Sequence, residues 1–185
     1  MRSIPSSAET AARGTAAARS ARKRPSLPLR GGCACGAIRY QVRAMPLFLY
    51  ACHCTDCQRQ SGSAFSLGLP VAASAFQIER GQAKAWPFVG GTGIPSRFYF
   101  CETCGGRIYG ERDGSERVIL RAGTLDDTSW LVPRAHYFMR SAQPFMRSPQ
   151  PWERLAGDTA CFATLPSETE VLPLVKEWRS LWQSD

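Results

Sequence analysis

Seven of the eight cysteines fall in three tight groups, Cys33-x-Cys35, Cys52-His53-Cys54-x-x-Cys57 and Cys101-x-x-Cys104, with Cys161 alone near the end. No other feature restricts the fold as strongly, because thiols this close must either pair with one another or share a metal. The chain opens without the apolar core of a secretory signal, and a reducing compartment disfavours disulfides. Partners two residues apart on a strand also make poor disulfides. They do share one face, about 6.6 Å apart at Cα, from which both sulfurs can converge on a single ion. Zinc suits such thiolates: it is borderline soft, takes tetrahedral sulfur and does no redox chemistry. Seven ligands divide as four plus three, and the chemistry of zinc gives that division a meaning. A structural site wants four protein ligands, whereas a catalytic site has three and an exchangeable position. Two zinc ions per chain are expected.

Spacing alone leaves the partition of ligands open, since the 43 residues between Cys57 and Cys101 are long for a zinc ribbon. The economical division pairs Cys33 and Cys35 with Cys101 and Cys104, stapling the first strand to a distant hairpin. It leaves Cys52, Cys54 and Cys57 as a local trio able to hold zinc with one side open. The alternative has Cys161 completing the trio, which makes both sites structural. His53 is a rival ligand, but between two ligands on a strand its side chain points to the opposite face.

The 185 residues suit one domain with extensions. Of the formal charge of +8, most belongs to the start: residues 1–30 carry seven basic residues against Glu9, leaving sixteen basic and fourteen acidic in the remainder. A near-neutral body gives no broad footprint for nucleic acid, and the basic segment lacks aromatic residues to stack bases. Residues 1–26 are expected to be a disordered basic arm, a composition shared with transit peptides. Residues 27–155 form the zinc-binding domain. Residues 156–185 form a C-terminal extension, with a helix opened by Pro173 whose stripe is Leu174, Val175, Trp178, Leu181 and Trp182. No apolar run is long enough to span a membrane. The alternation of Ile38, Tyr40 and Val42 with Arg39, Gln41 and Arg43 reads as a half-buried strand. Further short strands are expected around Leu47 to Ala51, Phe65 to Leu69, Ala75 to Glu79, Arg97 to Phe100 and Arg117 to Arg121, a mainly β protein.

The ordered combination Gly32-Cys33-x-Cys35-Gly36, Cys52-His53-Cys54-Thr55-Asp56-Cys57-Gln58-Arg59-Gln60-Ser61-Gly62 and Phe100-Cys101-x-x-Cys104-Gly105 resembles the glutathione-dependent formaldehyde-activating enzyme family, which shares its domain with centromere protein V. Arg121-Ala122-Gly123-Thr124-Leu125-Asp126-Asp127, Pro133-Arg134-Ala135-His136 and Ser141-Ala142-Gln143-Pro144 extend the likeness over roughly residues 28–147. The resemblance implies a β-tent fold of small antiparallel sheets around a structural zinc. It implies that Cys33, Cys35, Cys101 and Cys104 hold that ion, and that Cys52, Cys54 and Cys57 hold a second, exchangeable ion near where glutathione binds. The implied activity is a carbon-sulfur lyase or synthase joining glutathione to a small aldehyde, formaldehyde, as S-hydroxymethylglutathione, in the cytoplasm. The arm, Cys161 and the terminal helix lie outside the family's pattern.

Three thiolates on zinc(II) leave a formal charge of minus one, a poor acidifier of water, so a substrate thiol suits the site better than hydrolysis. Arg59, next after the trio, is a candidate to offset that charge or to meet a glutathione carboxylate; a solvated surface arginine is the alternative. Asp126 and Asp127 read as a turn or cap, or as an acid/base pair. His136 reads as a packing histidine or as an acid/base. Trp130, Phe138, Phe145 and Trp152 are core, or an apolar pocket wall. The rival classes are a non-catalytic zinc-stabilised interaction or glutathione-binding module, and a zinc carrier.

Overall fold

The fold is described from a computed structural model, which describes residues 24–147 and 160–180. Most of the basic arm, with Trp152, Leu181 and Trp182, lies outside the described residues. Among the described residues, eleven short strands build two sheets. The smaller is antiparallel, in the order β1 (Leu29–Gly32), β2 (Arg39–Val42), β5 (Phe76–Arg80). The larger runs β11 (Ala160–Cys161), β10 (Ala135–Tyr137), β3 (Tyr50–Cys52), β4 (Ser66–Ala72), β9 (Arg117–Arg121), β8 (Arg107–Arg112), β7 (Pro95–Phe100), β6 (Lys84–Val89). Its pairings are antiparallel except at one end, where β10 runs parallel to both β3 and β11.

The alternation in β2 does what it promises on one face. Tyr40 and Val42 are fully buried, preceded by buried Ile38. They meet the large sheet through aromatic contacts: Tyr40 tilts on Phe76 at 5.5 Å between ring centroids, and Phe76 on Tyr109 at 4.7 Å. Gln41, on the other face, is buried too and donates to Gln77 Oε1 at 3.2 Å across β2 and β5. Successive strand residues point to opposite faces. Tyr99 and Tyr109 therefore stack on each other on one side of β7 and β8, at 4.2 Å, and Phe98 with Gly110 lies on the other. That second face overlooks the candidate site.

The chain leaves β3 at Cys52 and, instead of continuing as a strand through Cys54, enters a short helix α1 (Thr55–Ser61). Cys54 caps it, its sulfur accepting the Cys57 amide at 3.3 Å. Gly62 closes it in the left-handed region, φ 60°, which only glycine adopts without a Cβ penalty. A single turn α2 (Pro144–Arg147) follows later. The terminal helix α3 (Glu168–Ser180) starts earlier than its proline suggests. Pro173 is internal, and the helix opens with a capping box in which Ser167 Oγ receives the Glu170 amide at 3.4 Å while the Glu170 carboxylate accepts the Ser167 amide at 2.7 Å. Trp178 on this helix is 1% exposed and packs on Trp130, ring centroids 6.1 Å apart. No helix among the described residues is long and apolar enough to cross a membrane.

Candidate functional site

Cys33 and Cys35 sit in the turn between β1 and β2, where the Cys33 amide bonds to Ile38 O at 3.1 Å and the Ile38 amide returns to the Cys33 sulfur at 3.2 Å. Cys101 and Cys104 sit in the matching turn between β7 and β8, held by Cys101 N to Gly106 O at 2.9 Å and Gly105 N to Cys101 O at 2.8 Å. One turn belongs to the small sheet and one to the large. All four sulfurs nonetheless lie within 4.8 Å of one another. Cys33 to Cys35 is 3.5 Å and Cys35 to Cys101 is 3.8 Å. Four sulfurs placed tetrahedrally about 2.3 Å from one ion stand about 3.8 Å apart, so the spacing fits zinc. The thiols also cannot all ionise unaided. The amides of Cys35 and Gly106 lower Cys104 to about 6. The Ala37 amide favours the Cys35 thiolate, but crowding by Cys33 and the other sulfurs pushes it up to about 11. A dication removes that conflict.

The trio is assembled differently, at a strand-to-helix junction. Cys52 ends β3, Cys54 is the α1 cap, and Cys57 lies in the first turn of that helix. Their sulfurs also lie within 4.8 Å of one another, Cys52 to Cys54 at 3.6 Å. Cys57 is held far below the usual thiol range by hydrogen bonds from Cys52 and Cys54, then by Ser66 and the Arg121 charge. Cys52 is driven up by Cys54 and Cys57 and by burial. Three thiols this close cannot all ionise beside one another without a cation, which fits them as a metal-binding donor set.

His53 turns away from this group. It is fully buried, and its Nε2 lies 2.8 Å from Nδ1 of His136, which occupies the neighbouring strand β10. Gln58, part of the motif but given no role by the sequence, ties the junction down: its Nε2 donates to His53 O at 2.6 Å and to Ser141 O at 2.9 Å, and Gln143 donates to its Oε1 at 3.2 Å.

A cleft of about 320 Å³ opens over the trio, near the lower end of the range for ligand pockets, about 300 to 1,000 Å³. Tyr50, Phe88, Phe98, Tyr137 and Phe138 contribute aromatic wall, and the hairpin tip at residues 90–93 covers one side. There Gly91 N donates to the Asp56 carboxylate at 3.2 Å. Phe138 is the one non-glycine with positive φ among the described residues, at 61°, a conformation costly for a bulky residue and found where function holds it.

The guanidinium beside the trio belongs to Arg121. It donates to Ser66 Oγ at 2.6 Å and Gln60 Oε1 at 3.0 Å. Arg59 is exposed and lines a separate, wide depression of about 650 Å³ on the other side of α1, with Phe65, Gln143 and Phe145. Helical geometry explains the exchange. Residues two apart on a helix face away from each other, so Arg59 leaves the face of Cys57, whereas Gln60, three along, shares it. Asp126 grips Arg39 with both carboxylate oxygens, and Asp127 Oδ1 accepts from Ser129 N and Oγ at 2.9 and 2.6 Å in a local turn. Trp130 is core, while Phe138 lines the cleft and Phe145 the outer depression. Cys161 sits on β11 in register with His136, and its side chain lies outside the described atoms.

No curated protein matches the chain. Among solved structures, the crystal structure of a Rhodobacter sphaeroides protein, a structural genomics target, is similar at 24% identity, covering 52% of this chain and 87% of that one with a TM-score of 0.44. The sequence model for the glutathione-dependent formaldehyde-activating enzyme matches residues 28–141, a span that contains both cysteine groups, the Ser66–Arg121 contact and most of the cleft wall. The chain belongs to the glutathione-dependent formaldehyde-activating enzyme family.

Proposed function

We propose that the protein is a zinc-dependent carbon-sulfur lyase or synthase that joins glutathione to formaldehyde. Cys33, Cys35, Cys101 and Cys104 hold a structural ion in this reading, and Cys52, Cys54 and Cys57 hold a second with an open position. The observation that carries it is the asymmetry of the two cysteine groups: four converged sulfurs away from the cleft, three on its floor. Zinc at the trio would supply an exchangeable position that favours a thiolate over a thiol.

The chain's own residues do the rest. Ser66 and Arg121 support charge at Cys57. The aromatic wall thins the water around the reacting sulfur, which strengthens its nucleophilicity and holds it near the aldehyde. In the reaction the sulfur adds to the carbonyl carbon, a C–S bond forms as the C=O π bond opens, and the proton given up by the thiol ends on the oxygen. No oxidant is needed, and the reverse cleavage follows the same path. Residues 27–155 form the working domain in this proposal, which places it in a reducing compartment such as the cytoplasm, where the thiols stay free.

The test is exchange NMR on an equilibrium mixture of glutathione, formaldehyde and S-hydroxymethylglutathione. Wild type should accelerate interconversion above the spontaneous rate, and a Cys57→Ser variant should lose the acceleration. Binding of glutathione with no acceleration by wild type would make the protein a glutathione-binding module instead.

A further inference from the structure

We infer that Arg107 and Arg121 act together as the counter-charge that lets the three-cysteine centre accept a fourth, anionic sulfur, so that the protein takes its substrate as a thiolate. The inference rests on the open-site reading of Cys52, Cys54 and Cys57. Three thiolates and a zinc ion sum to minus one, and an incoming thiolate makes minus two inside a partly buried cleft. Charge of that size away from bulk water is expensive unless cations stand near it.

The cations are in place. Arg121 donates to Ser66 and Gln60, both neutral acceptors, and Ser66 in turn hydrogen-bonds Cys57. Arg107 lies behind it, its guanidinium carbon 4.3 Å from the Phe98 ring centroid and 5.6 Å from that of Trp86. Arg121 approaches the same Phe98 ring at 5.8 Å. Neither arginine has a carboxylate within ion-pairing distance among the described residues. The two acids that line the cleft are engaged elsewhere, Asp56 by the Gly91 amide and Glu111 by the Tyr99 hydroxyl at 2.8 Å.

Nε and Nη2 of Arg107 are sealed from solvent with no hydrogen-bond partner. Burial, followed by the repulsion of Arg121, brings Arg107 down to about 10, while the Cys57 charge pulls in the opposite direction. An unpaired cation held at this cost wants an anion, and cation–π contact with Phe98 and Trp86 offsets only part of it. The backbone is shaped to put it there. The β7–β8 register slips between Tyr99 and Phe100, so Phe98 faces Gly110 but Phe100 faces Arg107. That bulge turns Arg107 off the face of Tyr109 and onto the face of Phe98, the re-aiming that bulges perform beside active sites.

The experiment loads the full chain with cobalt(II) and titrates glutathione and, separately, mercaptoethanol, following the thiolate-to-cobalt charge-transfer band. Arg107→Met should weaken both thiols about tenfold, and Arg107→Lys should restore affinity to near wild type. Equal affinities in wild type and Arg107→Met overturn the counter-charge. A loss confined to glutathione also overturns it, because the arginines would then serve its carboxylates. Should Arg107→Met not fold, Arg107→Gln against Arg107→Lys gives the same comparison. Failure of wild type to develop a thiol-dependent band would instead sink the open-site reading itself.

Discussion

Replacing Gly68 by alanine should damage the cleft from below, and the size of the effect follows from one contact. Gly68 on β4 faces Tyr50 on β3 in register, and a Cβ there would sit 2.4 Å from Cζ, 2.6 Å from the hydroxyl oxygen and 2.8 Å from Cε1 of that ring. All three lie inside van der Waals contact, so the ring must move. It has little freedom to do so, being stacked on Tyr137 at 4.3 Å and tilted against Phe48 at 5.6 Å. Overpacking of this kind costs about 1 to 3 kcal/mol. Alanine otherwise suits a strand better than glycine by about 0.5 to 1 kcal/mol. In a Tyr50→Leu background, where the ring is gone, Gly68→Ala should therefore be neutral or slightly stabilising. A double-mutant cycle by urea unfolding should yield a coupling of about 1 to 3 kcal/mol between the two positions. Because Tyr50 lines the cleft two residues before Cys52, glutathione affinity should fall with the single change and recover in part with the double. An equal cost of Gly68→Ala in both backgrounds would show that the ring does not dictate the glycine.

Three further outcomes are expected. Burial raises Tyr40 from 10.0 to about 12 and pushes Tyr50, Tyr109 and Tyr137 up as well. A folded value above the unfolded one means stability present below pH 10 and lost as pH climbs toward 12, so phenolate absorbance should rise together with loss of circular dichroism in that window, not ahead of it. Gln58→Leu removes the donor to two carbonyls that anchor the trio's junction; it should cost about 1 to 3 kcal/mol and weaken the second metal site in a chelator competition while leaving the first intact. Ser167→Ala removes the α3 cap at about 1 kcal/mol, and Trp178 fluorescence should report earlier undocking of that helix in urea.

The fold class was legible where side chains alternate or metal spacing intrudes. β2 announced itself through Ile38, Tyr40 and Val42. β1 and β6 did not, since Leu29–Gly32 ends in two glycines and Lys84–Val89 carries Pro87, which suits the unpaired edge of a sheet and breaks a strand pattern. β10 and β11 are too short to show a period, and their parallel pairing depends on contacts distant in sequence. A proline inside the first two turns of α3 imitates an opening signal, whereas the Ser167 to Glu170 box carries the actual one. Within the site, the cysteine groups are visible as candidate ligands by number and spacing. The helix following Cys54 is masked in sequence by a Cys-His-Cys alternation that resembles a strand, and the different directions of Arg59 and Gln60 depend on that helix. Arg107 could not be found at all from sequence, because its direction depends on a bulge between two strands.

The central claim is that Cys52, Cys54 and Cys57 form an open metal site distinct from a closed one. Metal content of purified wild type beside a Cys52, Cys54, Cys57 triple alanine variant, read with circular dichroism and glutathione binding, tests it most directly. Two zinc ions are expected in wild type and one in the variant, with an unchanged fold and glutathione binding that disappears with the second ion. One ion in wild type, or a variant that unfolds when the trio is removed, would make the trio structural and leave no open site.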